Sequence, residues 1–473
     1  MSSRRNFLKK AAMATTIGTV GLGTTTTVEA ATLAASQRKK KKRGANDKPK
    51  IGLIGVGARG YGHLILALND SEVDVTAICD LDPKACERAK KIVAEHQPSA
   101  KPTYYTGDEY AFQTMLDKEG LDGVIISTPW RWHAPMAVAC MKAGAYAGVE
   151  VSAAMTIEEC WDLVNAYEET KVPCMILENV NYRRDVMAVL NMVRQNMFGE
   201  LVHFRGGYCH DLRHIKFNSQ DPEKWWGVSG VEFGENAASE AQWRTQHSLL
   251  KNGDVYPTHG LGPVAMYANI NRGNRFESIS SMASKAVGLH DYIMKHPEGG
   301  PNHKNASLNF KLGDVITSQI KCTNGETILL THDTNLARPY SLEFRVQGTG
   351  GLWECDADHM HIVGESKPHY WDSAKEWIEK YDHPIWKKYE NDAKEAGHGG
   401  MDFFVIKAFL DSIKTQTQPP LDVYDAAAWS SVTPLSEASI AQGGTAQIFP
   451  DFTRGKWINR KPIYTEINEN ILG

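Results

Sequence analysis

From Lys50 onward, short apolar runs alternate with longer stretches whose apolar positions recur at helical spacing. Lys50 to Ile54 and Val73 to Cys79 read as strands, followed by helices over Tyr61 to Leu68 and Asp82 to Glu95. Asp108 to Leu116 predicts a further helix. Gly123-Val124-Ile125-Ile126-Ser127 carries no polar alternation, the mark of a strand buried on both faces. A helix through Ala143, the short strand Ala145 to Val149, the helix Thr156 to Thr170 and the strand Pro173 to Glu178 continue the rhythm. Strands separated by helices pair in parallel, so residues 50–182 predict one doubly wound α/β sheet.

Beyond Asn181 the rhythm changes. One helix, Asp185 to Asn196, precedes strands at Leu201 to Gly207, Ser278 to Ala283, Ala306 to Leu312, Asp314 to Thr323, Thr327 to Asp333 and Ser341 to Gly348, with no helical crossovers between most of them. Asn324-Gly325 is a good hairpin turn. Residues 183–460 therefore predict an α+β domain with a largely antiparallel open sheet covered on one face, and 461–473 a tail. Helices return at Met401 to Thr415 and Asp422 to Gly443, and the Trp-rich Tyr370 to Glu390 predicts a surface helix pair.

Composition fits this two-core reading: 473 residues, 42% hydrophobic and 23% charged, exclude disorder, collagen and a polytopic membrane protein. The net charge of −4 is unevenly spread. The first 50 residues hold twelve Lys/Arg against two Asp/Glu, so the body is strongly acidic, which argues against a nucleic-acid partner. The leader begins Ser3-Arg4-Arg5-Asn6-Phe7-Leu8-Lys9, and the weakly apolar run Ala11 to Gly23 is far shorter than the roughly 20 residues needed to span a bilayer. Val28-Glu29-Ala30 supplies a cleavage site. Residues 1–30 resemble a twin-arginine export signal, which implies a periplasmic or extracytoplasmic protein without a stable membrane anchor. Residues 31–49, with the cations Arg38 to Arg43, form a basic linker. Eight cysteines without a CxxC pair read as buried thiols.

Between the first strand and helix lies Gly55-Val56-Gly57-Ala58-Arg59-Gly60. In that context GxGxxG has a physical meaning: Gly55 allows the tight turn, Gly57 lets the backbone approach a pyrophosphate, and Gly60 lets helix and strand pack. The second strand ends in Asp80, 20 residues after Gly60, placed to accept bonds from ribose hydroxyls and to repel a 2′-phosphate. The expected fold is a Rossmann domain and the expected cofactor NAD. The loop Thr128-Pro129-Trp130-Arg131-Trp132-His133 and Glu150, both at strand carboxyl ends, are placed to meet the nicotinamide ribose.

A Rossmann half followed by a sheet-forming half resembles the Gfo/Idh/MocA oxidoreductases. The finer resemblance, from Gly55 to about Asp451, is to glycoside hydrolase family 109, the NAD-dependent α-N-acetylgalactosaminidases. It is carried by Trp130-Arg131-Trp132-His133, Glu150-Val151-Ser152, Glu178-Asn179-Val180, Gly206-Gly207-Tyr208, Trp243-Arg244-Thr245, Asn252-Gly253-Asp254-Val255-Tyr256-Pro257-Thr258-His259-Gly260, Thr331-His332-Asp333-Thr334 and Arg338-Pro339-Tyr340. The resemblance implies His259 as a catalytic residue and Tyr208 as a substrate contact that either serves at the sugar C2 or only touches the substrate. It implies Arg244, Tyr256, Pro257, Thr258 and Tyr340 around the sugar. Arg59, Gly60, Asp80, Trp130 to His133, Glu150, Val151 and Asn179 match the cofactor shell, although Arg131 stands where a Glu is common. It also implies a glycan substrate, a homodimer through the open sheet, and a mechanism without net redox change: oxidation at C3, elimination from C1, addition of water, reduction. The wider superfamily commonly has Glu-Lys-Pro where this chain has Glu150-Val151-Ser152, which weakens the alternative, an exported sugar dehydrogenase or epimerase. His359-Met360-His361 and the pair His210 and His214 lack further ligands at a recognisable interval, so no metal is expected.

Overall fold

The computed structural model describes residues 47–462. The export signal expected at residues 1–30, the expected linker up to Asn46 and the tail from Ile463 lie outside the described residues. The described residues form one compact unit.

The first half carries β1 (Lys50–Ile54), α1 (Ala58–Asn69), β2 (Asp74–Cys79), α2 (Pro83–His96), β3 (Thr103–Tyr105), α3 (Ala111–Glu119), β4 (Gly123–Ile126), α4 (His133–Lys142), β5 (Tyr146–Val149), α5 (Ile157–Thr170) and β6 (Cys174–Ile176). All six strands are parallel in the order β3-β2-β1-β4-β5-β6. The edge strand β3 escaped the sequence reading because it is three residues long with no buried position. Local chemistry fixes the helix starts: the Asp82 side chain accepts the Lys84 N–H ahead of Pro83, and Thr156 accepts from Glu159. Trp130–Trp132, expected in a loop, forms a 3₁₀ turn leading into α4.

The second half adds α6 (Arg184–Arg194) and a nine-stranded sheet. Its strands run β16 (Asp372–Ser373), β15 (His359–Ile362), β14 (Gly351–Glu354), β13 (Arg345–Gly348), β7 (Leu201–Cys209), β12 (Thr327–Asp333), β11 (Val315–Cys322), β10 (Phe276–Ala283) and β17 (Gln447–Ile448). Only β7 and β12 pair in parallel, the rest antiparallel. A separate ribbon joins β8 (Asn218–Ser219) to β9 (Val228–Glu232). Three further helices matter to the site: α7 (Arg244–Leu250), α8 (Thr258–Tyr267) and α9 (Met401–Thr415).

Several expectations are corrected. Ala306 to Leu312 is not a strand: Lys304–Ser307 is a 3₁₀ turn, and the N–H groups of Lys311 and Leu312 both donate to the Ser248 carbonyl instead of to a neighbouring strand. The strand expected from Ser341 starts at Arg345, with Ser341 contributing an isolated bridge to Cys209. The helix expected over Asp422 to Gly443 is two, Val423–Ser430 and Val432–Ala441, because Pro434 has no N–H to continue the ladder. The Trp-rich pair is present as Ala374–Lys380 and Pro384–Ala393, yet it is not purely surface: Trp377 and Trp386 are buried.

Two close packings build the site, the first between the halves and the second within the second half. A Cβ on Gly123 would stand 2.2 Å from Ile413 and one on Gly148 2.9 Å from Phe409, so α9 lies directly on β4 and β5. A Cβ on Gly206 would stand 2.1 Å from the Gly260 carbonyl, and one on Gly260 2.5 Å from the Gly207 nitrogen. The first turn of α8 therefore sits against the β7 backbone, a distance only glycines permit, and this sets His259 beside Tyr208.

Candidate active site

A cavity of about 2330 Å³ opens at the carboxyl ends of the parallel strands, where the strand order reverses between β1 and β4. That is more than twice the roughly 1,000 Å³ of a large small-ligand pocket, and such reversals are where nucleotides bind.

At one end lies the glycine loop. Gly55 takes a left-handed φ of +86°, a Cβ on Gly60 would meet the Gly55 carbonyl at 1.9 Å, and a Cβ on Gly57 would meet nothing within 4 Å. Gly57 thus leaves open space at the amino end of α1, the cradle an anion requires. The Val56 N–H donates to Asp80 Oδ2 at 2.8 Å and the Asp82 N–H to Oδ1 at 2.9 Å. Burial pushes the Asp80 carboxyl up and those two donors oppose it.

In the middle, Arg59 joins three elements. Its Nε donates to Glu150 Oε1 at 2.6 Å, and its terminal nitrogens donate to both oxygens of Asp402 at 2.7 and 3.0 Å. Asn179 Nδ2 donates to Asp402 Oδ1 at 2.7 Å. Burial would raise the Glu150 carboxyl, but Arg59 and His63 hold it well below the ordinary range; Asp402 is likewise held low by His398 and Arg59 against burial. Asn179 lines the cavity, and its Oδ1 is buried with no partner among the described residues, an acceptor left unsatisfied.

At the other end, His259 Nδ1 lies 2.6 Å from Glu178 Oε1. A carboxylate only accepts, so Nδ1 carries the proton and Nε2 keeps its lone pair. Glu178 is fully buried and its Oε1 also accepts the Val180 N–H at 3.0 Å. Around His259, the Tyr208 and Tyr256 rings stand 5.1 and 4.9 Å away. Tyr256 stacks on Trp130 at 5.4 Å, and the Arg244 guanidinium lies 5.1 Å from Trp130 and 5.0 Å from Tyr256. Glu240 bonds Arg244 and, against burial, keeps its charge. Burial pushes the Tyr208 phenol up to about 12, and its hydroxyl lies 3.1 Å from His210 Nδ1. Burial first, then His214 and Arg244, lowers His210, which stays neutral and able to accept. Tyr340 sits half exposed at the mouth, 5.0 Å from His210.

The structure thus brings Gly55, Gly57, Arg59, Asp80, Trp130, Arg131, Trp132, Glu150, Val151, Asn179, Tyr208, Arg244, Tyr256, His259 and Tyr340 to one cavity. Others have different work. His133 reaches the cavity wall but is fully buried, with its ring nitrogens 2.8 and 2.7 Å from the Ser152 and Thr128 carbonyls, so it braces the loop. Gly60 packs behind the glycine loop, while Pro257 and Thr258 lie outside the lining and start α8, Thr258 fully buried. Trp130 packs mainly on the sugar side, against Tyr256, Trp243 and His247. Glu178, Asp402, His210 and Glu240 were not assigned from sequence. Glu178 stood inside a quoted motif, whereas Asp402 is 343 residues from Arg59 and carried no local signal. Among the described residues no group of three or more His, Cys, Asp or Glu is placed to hold a metal ion, and no helix is long and apolar enough to cross a membrane.

Fold and site together define a two-half enzyme built on a dinucleotide-binding sheet, and residues 49–178 match the family model for the NAD-binding Rossmann fold of the Gfo/Idh/MocA oxidoreductase family. Residues 182–459 match that of the glycosyl hydrolase 109 C-terminal domain. The chain belongs to glycoside hydrolase family 109. It is 52% identical to an α-N-acetylgalactosaminidase of Tannerella forsythia, over 98% of this chain and 99% of that one. It is equally identical, at the same coverage, to a glycosyl hydrolase family 109 protein of Parabacteroides distasonis. A levoglucosan dehydrogenase in complex with NADH and L-sorbose shares the fold at 18% identity, with a TM-score of 0.62 over 85% of this chain and 99% of that one.

Proposed function

We propose that this enzyme removes terminal α-N-acetylgalactosamine from glycans by an NAD-dependent cycle with no net redox change. The observation that carries the reading is His259, bonded through Nδ1 to Glu178 and lining a cavity that continues to the glycine loop and Asp80. The 52% identity to an α-N-acetylgalactosaminidase supports the substrate class.

Bound NAD supplies a reversible two-electron store that oxidises the sugar at C3 and later reduces it. His259 Nε2 accepts the C3 hydroxyl proton, and Glu178 stabilises the resulting imidazolium. The C3 ketone acidifies the C2 proton, which the Tyr208–His210 pair removes: a phenol held at about 12 is a poor base by itself, and the neutral His210 3.1 Å away takes its proton. The C1 substituent then leaves with the proton taken from C2, water adds its hydroxyl at C1 and a proton at C2, and His259 returns its proton as C3 is reduced. Arg244 lies in the aromatic box and binds the acetamido carbonyl.

Cleavage of an aryl α-N-acetylgalactosaminide in heavy water, with no nucleotide added, tests the cycle. Deuterium is expected at C2 of the released sugar without accumulation of NADH. Stoichiometric NADH, or a sugar free of deuterium, overturns it.

The reading extends to export of the folded, loaded protein through the signal at residues 1–30, which cell fractionation of an Arg4→Lys, Arg5→Lys variant tests. It also extends to pairing of two copies across the outer face of the nine-stranded sheet, where Thr317, Gln319 and Lys321 of β11 are exposed. Light scattering of the purified enzyme decides between dimer and monomer.

A further inference from the structure

The ribbon β8–β9 belongs to the second half of the chain, yet its tip, residues 220–227, reaches the wall of the nucleotide end of the cavity. The tip is held in one shape. Asp221 Oδ1 accepts the Glu223 and Lys224 N–H groups at 2.8 and 3.1 Å, and Gln220 Nε2 donates to the Glu235 and Ala237 carbonyls at 2.6 and 3.1 Å. Gly227, at a φ of +85°, closes the turn with a 2.8 Å bond to the Lys224 carbonyl.

That rigid tip presents one indole to the Rossmann half. The Trp225 ring stacks on Tyr61 of α1, with centroids 6.5 Å apart and planes 27° apart, and the Arg88 guanidinium of α2 lies 4.8 Å from it. Trp225 thus bridges the helix that follows the glycine loop and the helix that follows Asp80. Arg88 also lies in the field of Asp80, the residue placed for the adenine ribose. Trp225, Arg88, Asp80 and Gly57 all line the same cavity.

We propose that Trp225 is a cofactor-retaining residue: seated on Tyr61 and Arg88, it closes the adenosine end of the cavity and slows the release of NAD. The proposal rests on the NAD cycle above and sharpens it. A catalyst that restores its cofactor in each turnover gains nothing from exchange, so slow release costs no rate, whereas an ordinary dehydrogenase must release its reduced nucleotide.

The test uses the full chain loaded with NAD labelled in its adenine ring, chased with excess unlabelled NAD, and reads the label still bound over time. Trp225→Ala is expected to lose label at least about ten-fold faster than the parent protein, since the contacts of the indole with Tyr61 and Arg88, which have to break before the adenosine end opens, are absent from the variant. Trp225→Phe keeps most of the retention. Trp371→Ala is the control: Trp371 is 46% exposed, does not line the cavity and stacks on His359, so its release rate stays at the parental value. Circular dichroism and Tm establish that each variant is folded. Equal release from Trp225→Ala and the parent, or equal acceleration by Trp371→Ala, overturns the proposal while leaving the glycosidase reading intact. A parent chain that binds NAD but cleaves no aryl glycoside overturns the glycosidase reading and leaves the retention result standing.

Discussion

His259 depends on one contact for its state and direction. Glu178 at 2.6 Å fixes which ring nitrogen carries the proton, and Glu178 is itself held by the Val180 N–H. Glu178→Gln replaces a pure acceptor by an amide that offers either a donor or a neutral acceptor. The kcat of aryl glycoside cleavage is expected to fall about 10²- to 10⁴-fold, the range of a mispositioned general base, with bound NAD unchanged when extracted and quantified. Gly60→Ala acts at the opposite end of the cavity. Its Cβ would lie 1.9 Å from the Gly55 carbonyl, an atom of backbone that cannot swing aside. Purified Gly60→Ala is expected to carry little or no nucleotide, measured against protein concentration. These residues were legible to different depths. Gly55, Gly57, Gly60 and Asp80 announce themselves because their spacing is tied to one strand-turn-helix unit. Glu178 sat in a recognised motif with no role attached, since its partner is 81 residues away and pairs with it only in the folded chain.

Helix α9 shows how an element serves both halves. Its sequence bounds, Met401 to Thr415, agree with the structure because an unbroken amphipathic run has no competing local preference. What the run covers is not local information. Phe409 and Ile413 fill the space left by Gly148 and Gly123 on the parallel sheet, while Asp402 in its first turn receives Arg59 and Asn179. Phe409→Ala is expected to destabilise the protein by about 3–5 kcal/mol, a buried phenyl lost from a close-packed layer, read as a fall in the urea midpoint at unchanged slope. The segment Ala306 to Leu312 failed for the complementary reason. Its alternating pattern suits a strand, but Ser248 toward the end of α7 offers a carbonyl to two of its N–H groups.

At the scale of the whole molecule, burial sets the response to acid and to reductant. Burial lowers His247 and His383 from 6.5 to about 4, with Lys251 and Arg244 adding to the first and Arg194 to the second. The folded form therefore favours the neutral rings, and as pH falls the unfolded chain takes up protons first. Stability from these two groups is complete above about pH 6.5 and is lost progressively toward pH 4, so urea midpoints are expected to drop across that window. All eight cysteines are free and seven are buried, so Tm is expected to be the same with and without dithiothreitol. The sequence by itself determined the parallel sheet, the glycine loop with its acidic partner, and the family, because each is written in local periodicity or in contiguous motifs. It left open how one cavity is closed. The pairs Arg59 with Asp402, Glu178 with His259 and Trp225 with Arg88 join residues 343, 81 and 137 positions apart, distances over which neither period nor spacing carries a signal. The packing of α8 against the Gly206-Gly207 backbone, of α9 against the parallel sheet and of the β8–β9 tip on α1 and α2 brings those side chains within reach and turns two half-sites into one.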